Sequence, residues 1–461
     1  MTVKNNPEAN LKKKLLRCNV SSPLPQTSHV TLIPTLLLYL VVGIAAVSFY
    51  LWNRRRKERN ALQVHEESVK QGLNEPPSLH PVVDPTRCIG SGGCTRACPE
   101  GALGVVGGKA VLINAAHCIG HGACAPACPV DAIKLVFGTE KRGVDIPSVT
   151  PEFESNVPGL FIAGELGGMG LIRKAAEQGR QAMDTVRKRK GGPDELDVLI
   201  VGAGPAGISA GLAALEHKLR YRLIEQEDAL GGTVYHYPRN KIAMTAPVKL
   251  ALVGQVRMGE IQKEKLLEFW QGVVQKTGLK IDFNERMEGI EREGESFVVT
   301  TASRRHKARS VVLAIGRRGS PRKLGVPGEE SAKVVYRLID AEQYRGQPVL
   351  VVGGGDSALE AAIALSEEPG TAVTLSYRSA AFSRVKEKNR QRLQEQQQAG
   401  RLDVQLNSEV ERIERDHVWL KTAQGSQQLP NAIIIVCAGG VLPTPLLQKA
   451  GIEFSTKHGT A

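Results

Sequence analysis

An α/β architecture, with two Rossmann-like three-layer βαβ domains, a small α+β unit and one transmembrane helix, is what this chain of 461 residues predicts. Three observations carry it. Two short apolar strand runs each lead into a glycine-rich turn and a helical stretch, at 197–216 and 348–366. Six of the eight cysteines fall between positions 88 and 128, in two similar blocks. Residues 30–52 form one uncharged apolar run.

Composition sets the bounds. Hydrophobic residues at 42% and charged residues at 23% are ordinary globular values, so a disordered chain is excluded. The 48 glycines follow no collagen-like period and point to tight turns and close backbone approaches. Net charge is +13, yet residues 1–60 hold ten Lys/Arg against only Glu8 and Glu58. The excess therefore belongs to one end, and no nucleic-acid partner is indicated.

In chain order, residues 1–29 are a basic tail. The run 30–52, VTLIPTLLLYLVVGIAAVSFYLW, would span roughly 34 Å as a helix against a hydrocarbon core of about 30 Å. Pro34 falls in its first turn, and Tyr50 and Trp52 lie where an interfacial belt would be. A buried core helix or a signal peptide competes with this reading, but the run is long for a signal and no small-residue cleavage site precedes the basic cluster. Arg54, Arg55, Arg56, Lys57 and Arg59 follow at once, and the positive-inside rule holds the C-terminal part in the cytoplasm. A single-pass inner-membrane anchor is expected. Residues 53–79, polar and carrying Pro76 and Pro77, read as a spacer.

CIGSGGCTRACPEGAL from Cys88 and CIGHGACAPACPVDAI from Cys118 are an internal duplication offset by 30 residues. The pattern, bounded as 80–136, is similar to the two-cluster bacterial ferredoxin run C-x2-C-x2-C-x3-C-P, whose fourth cysteine ligates the other cluster. That resemblance implies one iron–sulfur cluster held by Cys88, Cys94 and Cys128 and another held by Cys118, Cys124 and Cys98. In both halves the second cysteine is replaced, by Ser91 and by His121. Each set of three thiolates suits a three-iron cluster, or a four-iron cluster whose last iron takes Ser91, His121 or solvent. A zinc site or a metal-free relic is the competing reading.

Asp197-Val-Leu-Ile-Val leads into Gly202-Ala-Gly204-Pro-Ala-Gly207, and Glu225 ends the next apolar run. Strand, glycines, helix and terminal acid together indicate a dinucleotide site, with the acid on ribose hydroxyls. The second unit carries Gly353, Gly355, Asp356 and Ser357. Its next strand ends in Arg378, followed by Arg384 and Lys386 in place of an acid. This fits a 2′-phosphate and hence NADP above NAD; solvated basic residues would look the same.

By GAGPAG, by VVLAIGRRGSPRKLGVPGE at 311–329, by VVGGGDSALE at 351–360 and by VPGLFIAGE at 157–165, the chain resembles the thioredoxin-reductase-like flavoproteins. In that family the last motif lies near the C-terminus. Here it precedes GAGPAG, so the resemblance implies a circularly permuted FAD domain in which 143–190 joins 195–330. Residues 331–430 would bind NAD(P), and 431–461 would return to the FAD domain. Glu165, where the family usually has Asp, would contact the flavin chain beside Gly164, with Gly316 nearby. No cysteine occupies the family's dithiol stretch, and Cys437 stands alone on an apolar run, so a dithiol relay to thioredoxin is excluded. Gly232 and Thr233, in GGTVYHYPR, resemble the dithiol-free branch that includes bacillithiol-disulfide reductase-like proteins, and Tyr235, His236 and Tyr237 stand near the flavin in that reading.

The combination implies an NAD(P)H-dependent oxidoreductase passing electrons between NADPH, FAD and two iron–sulfur clusters (4Fe-4S or 3Fe-4S). Its acceptor would be a redox protein, a quinone or a small disulfide, and a homodimer is allowed for. A low-molecular-weight disulfide reductase with a ferredoxin input, or a redox sensor without turnover, are the rival readings. No nucleophile–base arrangement suggests hydrolysis.

Overall fold

The computed structural model describes residues 32–70, 75–76, 79–140, 143–168, 170–317, 319–383 and 385–459. The tail 1–29, the first residues of the apolar run and Arg384 lie outside them. Two units are distinguished, 1–57 and 58–461.

In the first unit the apolar run is helical and its side chains are exposed, as lipid-facing residues would be. Its mean hydropathy of 2.1 is enough to cross a membrane. The helix does not stop at the basic cluster but continues to Lys70. The spacer expected at 53–79 is therefore helical over its first two-thirds. In the second unit its residues from Glu58 onward pack on the small cysteine domain. Ala61 lies against Gly104, and the Gly107 N–H donates to Glu58 Oε1 at 2.7 Å.

That small domain is two antiparallel pairs. The strand His80–Val83 pairs with Ile133–Val136, and Leu103–Val106 pairs with Lys109–Leu112. The duplicated cysteine loops connect them.

The first large domain is built on a six-stranded sheet. Strand Leu196–Val201 lies between Tyr221–Ile224 and Arg305–Leu313, in parallel with both. Val311, Val312 and Leu313 also pair in parallel with Leu160, Phe161 and Ile162. The segment that precedes GAGPAG in sequence thus occupies a place in the same sheet. These strands are short β-branched and leucine runs buried on both faces, as parallel strands between helical layers must be. Helix Ile172–Val186 packs on helix Pro205–Glu216 so closely that a Cβ on Gly179 would sit 2.0 Å from the carbonyl oxygen of Ala206.

The second large domain has a five-stranded parallel sheet around Pro348–Val352, with helix Asp356–Ser366 behind its glycine turn. A three-stranded antiparallel sheet over 409–430 is added to it. Strand Ile433–Val436 pairs with Pro348–Val352 and Val334–Val335 in this sheet. The return to the first domain therefore begins after Val436 and not at residue 431. Beyond it, Leu447 and Ile452 enter the core of the first domain. Strand Phe454–Lys457 then closes antiparallel on Val144–Pro147.

Candidate functional site

At the first nucleotide turn, Gly202 has φ +104°, and a Cβ there would meet the Ala314 carbonyl at 2.6 Å. Gly207 allows less: its Cβ would fall 1.7 Å from the Gly202 oxygen, so the helix can start against the strand only as glycine. Gly204 faces Gly232, whose φ is +55° and whose Cβ would come within 3.0 Å of the Gly204 Cα. Between them the Gly204 turn leaves the helix N-terminus open to an anion. Glu225 is buried at the end of its strand, accepting N–H bonds from Ala203 at 2.6 Å and Glu227 at 3.1 Å. Burial raises its pKa above the ordinary carboxylate value, against the pull of those donors.

The out-of-order segment completes this cradle. Gly164, at φ +88°, touches Ala206 in the first turn of the nucleotide helix, and its N–H donates to Gln178 Oε1 at 2.8 Å. Glu165 follows. A Cβ on Gly316 would lie 3.9 Å from Glu165 Oε2 and 3.8 Å from Thr233 Oγ1, which brings the three predicted residues to one point. Burial pushes the Glu165 carboxyl up, opposed by the charge and backbone N–H of Arg317. Tyr237 is raised by its own burial and by the charge of Glu165. The extra methylene of glutamate relative to aspartate is thus accommodated beside a cation. Arg317 sits inside the quoted AIGRRG motif and was legible there, but carries no glycine or acid signature.

At the second turn Gly353 has φ +147° with its Cβ position 2.4 Å from the Cys437 carbonyl, whereas Gly355 has open space around it. Ser357 is exposed at the helix start. Asp356 accepts from Lys386 N at 2.9 Å and Asn389 Nδ2 at 2.8 Å, so it fixes the loop that carries the basic residues. Arg378 is exposed at the end of strand Ala372–Tyr377, beside the stacked rings of Tyr377 and Phe382. Cys437 is only partly buried, against the core of this domain.

Three contacts between the two nucleotide domains escaped sequence reasoning. Lys241 Nζ meets Glu360 Oε2 at 2.7 Å, Arg239 meets Asp340 at 3.4 Å, and Arg337 meets His236. Single charges over a hundred residues apart leave no local pattern.

In the small domain the six cysteines fall into two sets. One cavity is lined by Cys88, Cys94 and Cys128 together with Ser91. Another is lined by Cys98, Cys118 and Cys124 together with His121. The two linings group the cysteines in the way that the ferredoxin resemblance implied. Ala110 N–H points at Cys88 Sγ at 3.3 Å and Ala132 N–H at Cys128 Sγ at 3.2 Å, the amide-to-sulfur bonds that a cluster's thiolates accept. Ser91 and His121 are both exposed at the cavity mouths. Burial pushes the Cys124 thiol up to about 11, so metal binding there must displace its proton.

Residues 199–460 match the family model described as pyridine nucleotide-disulphide oxidoreductase, and residues 80–129 match that of the 4Fe-4S dicluster domain. A protein named ferredoxin–NADP reductase from Thermus thermophilus is 33% identical over 273 residues, 57% of this chain and 78% of that relative. Its namesake from Ignicoccus hospitalis is 32% identical over 189 residues, 40% of this chain and 57% of its own length. Among solved structures, bacillithiol disulfide reductase from Staphylococcus aureus superposes with a TM-score of 0.50 at 23% identity, covering 56% of this chain and 83% of that one. The Bacillus cereus form gives 0.50 at 22%, covering 56% and 81%. These two share the fold. With its FAD- and NAD(P)-type turns in place and a dicluster domain ahead of them, the chain belongs to the pyridine nucleotide-disulphide oxidoreductase family, as an NAD(P)H flavoprotein oxidoreductase.

Proposed function

We propose that this is a membrane-anchored, cytoplasm-facing oxidoreductase that takes hydride from NADPH and delivers single electrons to an acceptor through the small domain. The observation that carries the reading is the presence, in one unit, of an FAD cradle and two three-cysteine cavities. When bound, FAD supplies the conversion between two-electron hydride and one-electron carriers, and iron–sulfur clusters supply the one-electron steps. The chain's own residues hold these groups. Gly202, Gly204, Gly207 and Gly232 admit the pyrophosphate, and Glu225 receives ribose hydroxyls. Glu165, Gly316 and Thr233 face the flavin chain, with the Arg317 charge opposing the rise that burial gives the Glu165 carboxyl. Arg378 and Arg384, with Lys386 whose N–H donates to Asp356, would take the 2′-phosphate. Cys88, Cys94 and Cys128 would hold one cluster and Cys98, Cys118 and Cys124 the other, with Ser91 and His121 at the open positions. The name shared by the curated relatives supports a one-electron protein as acceptor.

The test is anaerobic purification of the whole chain, with FAD, iron and sulfide measured and EPR spectra recorded after NADPH or NADH. Two NADPH-reducible signals are expected. Cys98→Ser should remove the signal that Cys118→Ser removes, leaving the one that depends on Cys88. Zinc without sulfide, or signals indifferent to these changes, would refute the reading.

A further inference from the structure

The two halves of the cysteine duplication are not equivalent in their surroundings. On the side of the Cys98/Cys118/Cys124 cavity, His117 Nε2 accepts the N–H of Glu387 in the second nucleotide domain at 3.3 Å. Leu135 lines this cavity, and two residues on, the Phe137 ring packs against Gly168, three residues after Glu165 of the flavin cradle. The Gly459 N–H donates to Phe137 O at 2.8 Å. This cavity is seated on the flavoprotein.

The other cavity carries the opposite features at the matching positions. Ile89 is 65% exposed, whereas its counterpart Ile119 is half-buried. Where the second half has His117 and Pro126, the first has Arg87 and Arg96, both exposed. Arg96 Nη1 reaches Ser91 O at 3.4 Å and Lys109 Nζ donates to Cys88 O at 2.6 Å, so two cations are fixed on the loop that lines this cavity. Two of the carboxylates near this face are engaged within the chain, Asp84 accepting from Thr86 Oγ1 at 2.6 Å and Glu58 from Gly107 N, while Asp131, between the cavity-lining Val130 and Ala132, is exposed.

We infer that the face formed by Ile89, Arg87, Arg96 and Lys109 is the docking surface for an acidic one-electron carrier protein, placed at the far end of a path that begins at the flavin cradle. An exposed apolar residue ringed by cations matches the mixed contact of transient redox pairs, in which charge orients the partner and a small apolar centre makes the contact. Arg87 and Arg96 have lost their equivalents in the half that is covered, as expected if they serve a partner and not the cluster. The overall balance is one NADPH oxidised to NADP⁺ and a proton, and two carriers each reduced by one electron. The inference rests on the relay reading above.

The experiment uses the full chain in detergent, purified anaerobically, with an acidic two-iron ferredoxin as probe and basic cytochrome c as comparison, binding being measured by calorimetry without NADPH. Wild type is expected to bind the ferredoxin at least tenfold more tightly at 25 mM than at 200 mM salt, and to bind cytochrome c more weakly than ferredoxin at low salt. Arg87→Gln with Arg96→Gln should weaken ferredoxin binding about tenfold at low salt and flatten the salt dependence, with ferricyanide reduction by NADPH unchanged. Unchanged ferredoxin affinity in that variant would overturn the inference. So would equal binding of cytochrome c by wild type, a comparison that stands even if the variant loses iron. Binding without any NADPH-reducible iron–sulfur signal would refute the relay alone; the signal without binding would refute the docking surface alone.

Discussion

Replacing Gly179 by alanine tests the out-of-order segment at its tightest contact. The added Cβ would stand 2.0 Å from the oxygen of Ala206, 2.8 Å from its carbonyl carbon and 3.1 Å from its Cα. All three are backbone atoms in the first turn of helix Pro205–Glu216, and none can swing aside. Ordinary contact begins at 3.4 Å, so the two helices must part by about 1.4 Å. Overpacking of this kind costs about 1–3 kcal/mol. The displaced group is the helix start that carries Gly204 and Gly207, so if the whole cost falls on the cofactor site, FAD affinity drops about 5- to 150-fold. If it falls on the fold, the melting temperature drops by about 2–4 °C per kcal/mol. Gly272→Ala is the matched control, because that glycine lies inside helix Lys263–Thr277 with nothing within 4 Å of its Cβ position. There the same methyl should stabilise by about 0.5–1 kcal/mol. FAD titration by flavin fluorescence quenching, with thermal melts in the presence and absence of FAD, reads both variants. If Gly179→Ala matches Gly272→Ala, stabilising the chain and leaving FAD affinity intact, helix Ile172–Val186 does not lie on the nucleotide helix and the permuted assembly is wrong.

Other expectations concern the second nucleotide site, pH and the anchor. Arg378→Ala should raise the KM for NADPH about tenfold or more, the worth of a hydrogen bond to a charged group, and move that for NADH less than twofold; equal effects on both would remove Arg378 from the 2′-phosphate. Burial, then the bond to Glu329, pushes the Tyr336 phenol up to about 12. Its contribution is whole below pH ~10, where an unfolded tyrosine ionises, and is lost as pH rises towards 12. Wild type should therefore lose stability more steeply across that window than Tyr336→Phe, and parallel melting curves would contradict it. Deletion of residues 1–52 should move the protein from the membrane pellet to the supernatant with FAD still bound; a truncated chain that stays in the pellet would argue against the anchor.

How far the sequence could be read depended on whether a feature was local. The two cysteine blocks stood out because ligand spacing is a local property and the duplication doubled the signal, while the way the blocks cross came only from the resemblance to the ferredoxin run. The place of Leu160–Ile162 was legible only through motif order, since a three-residue buried strand has no period of its own. Two expectations missed for physical reasons. Residues 53–70 read as a spacer because they lack an apolar stripe, yet they hold a helix whose small residues Ala61 and Ser68 are enough to pack. The run Ile433–Val436 was given to the wrong sheet, because a parallel strand buried on both faces reads the same in either. The link from Lys241 to Glu360 depends on two charges that only the tertiary fold brings together.

The pairing of Phe454–Lys457 with Val144–Pro147 has a consequence for synthesis. Thr456 Oγ1 meets Asp145 Oδ1 at 2.7 Å across a separation of 311 positions. Closing a flexible loop of that length costs on the order of 5 kcal/mol in chain entropy. At 5–20 residues per second, the ribosome needs roughly a quarter of a minute to a minute to pass from helix Ile172–Val186 to this last strand. During that interval the cysteine domain has all its strands, while strand Val144–Pro147 waits with an unpaired edge for a partner still being translated. Iron–sulfur assembly can therefore run ahead of completion of the flavin domain, and the nascent chain needs its exposed edge shielded until its end emerges.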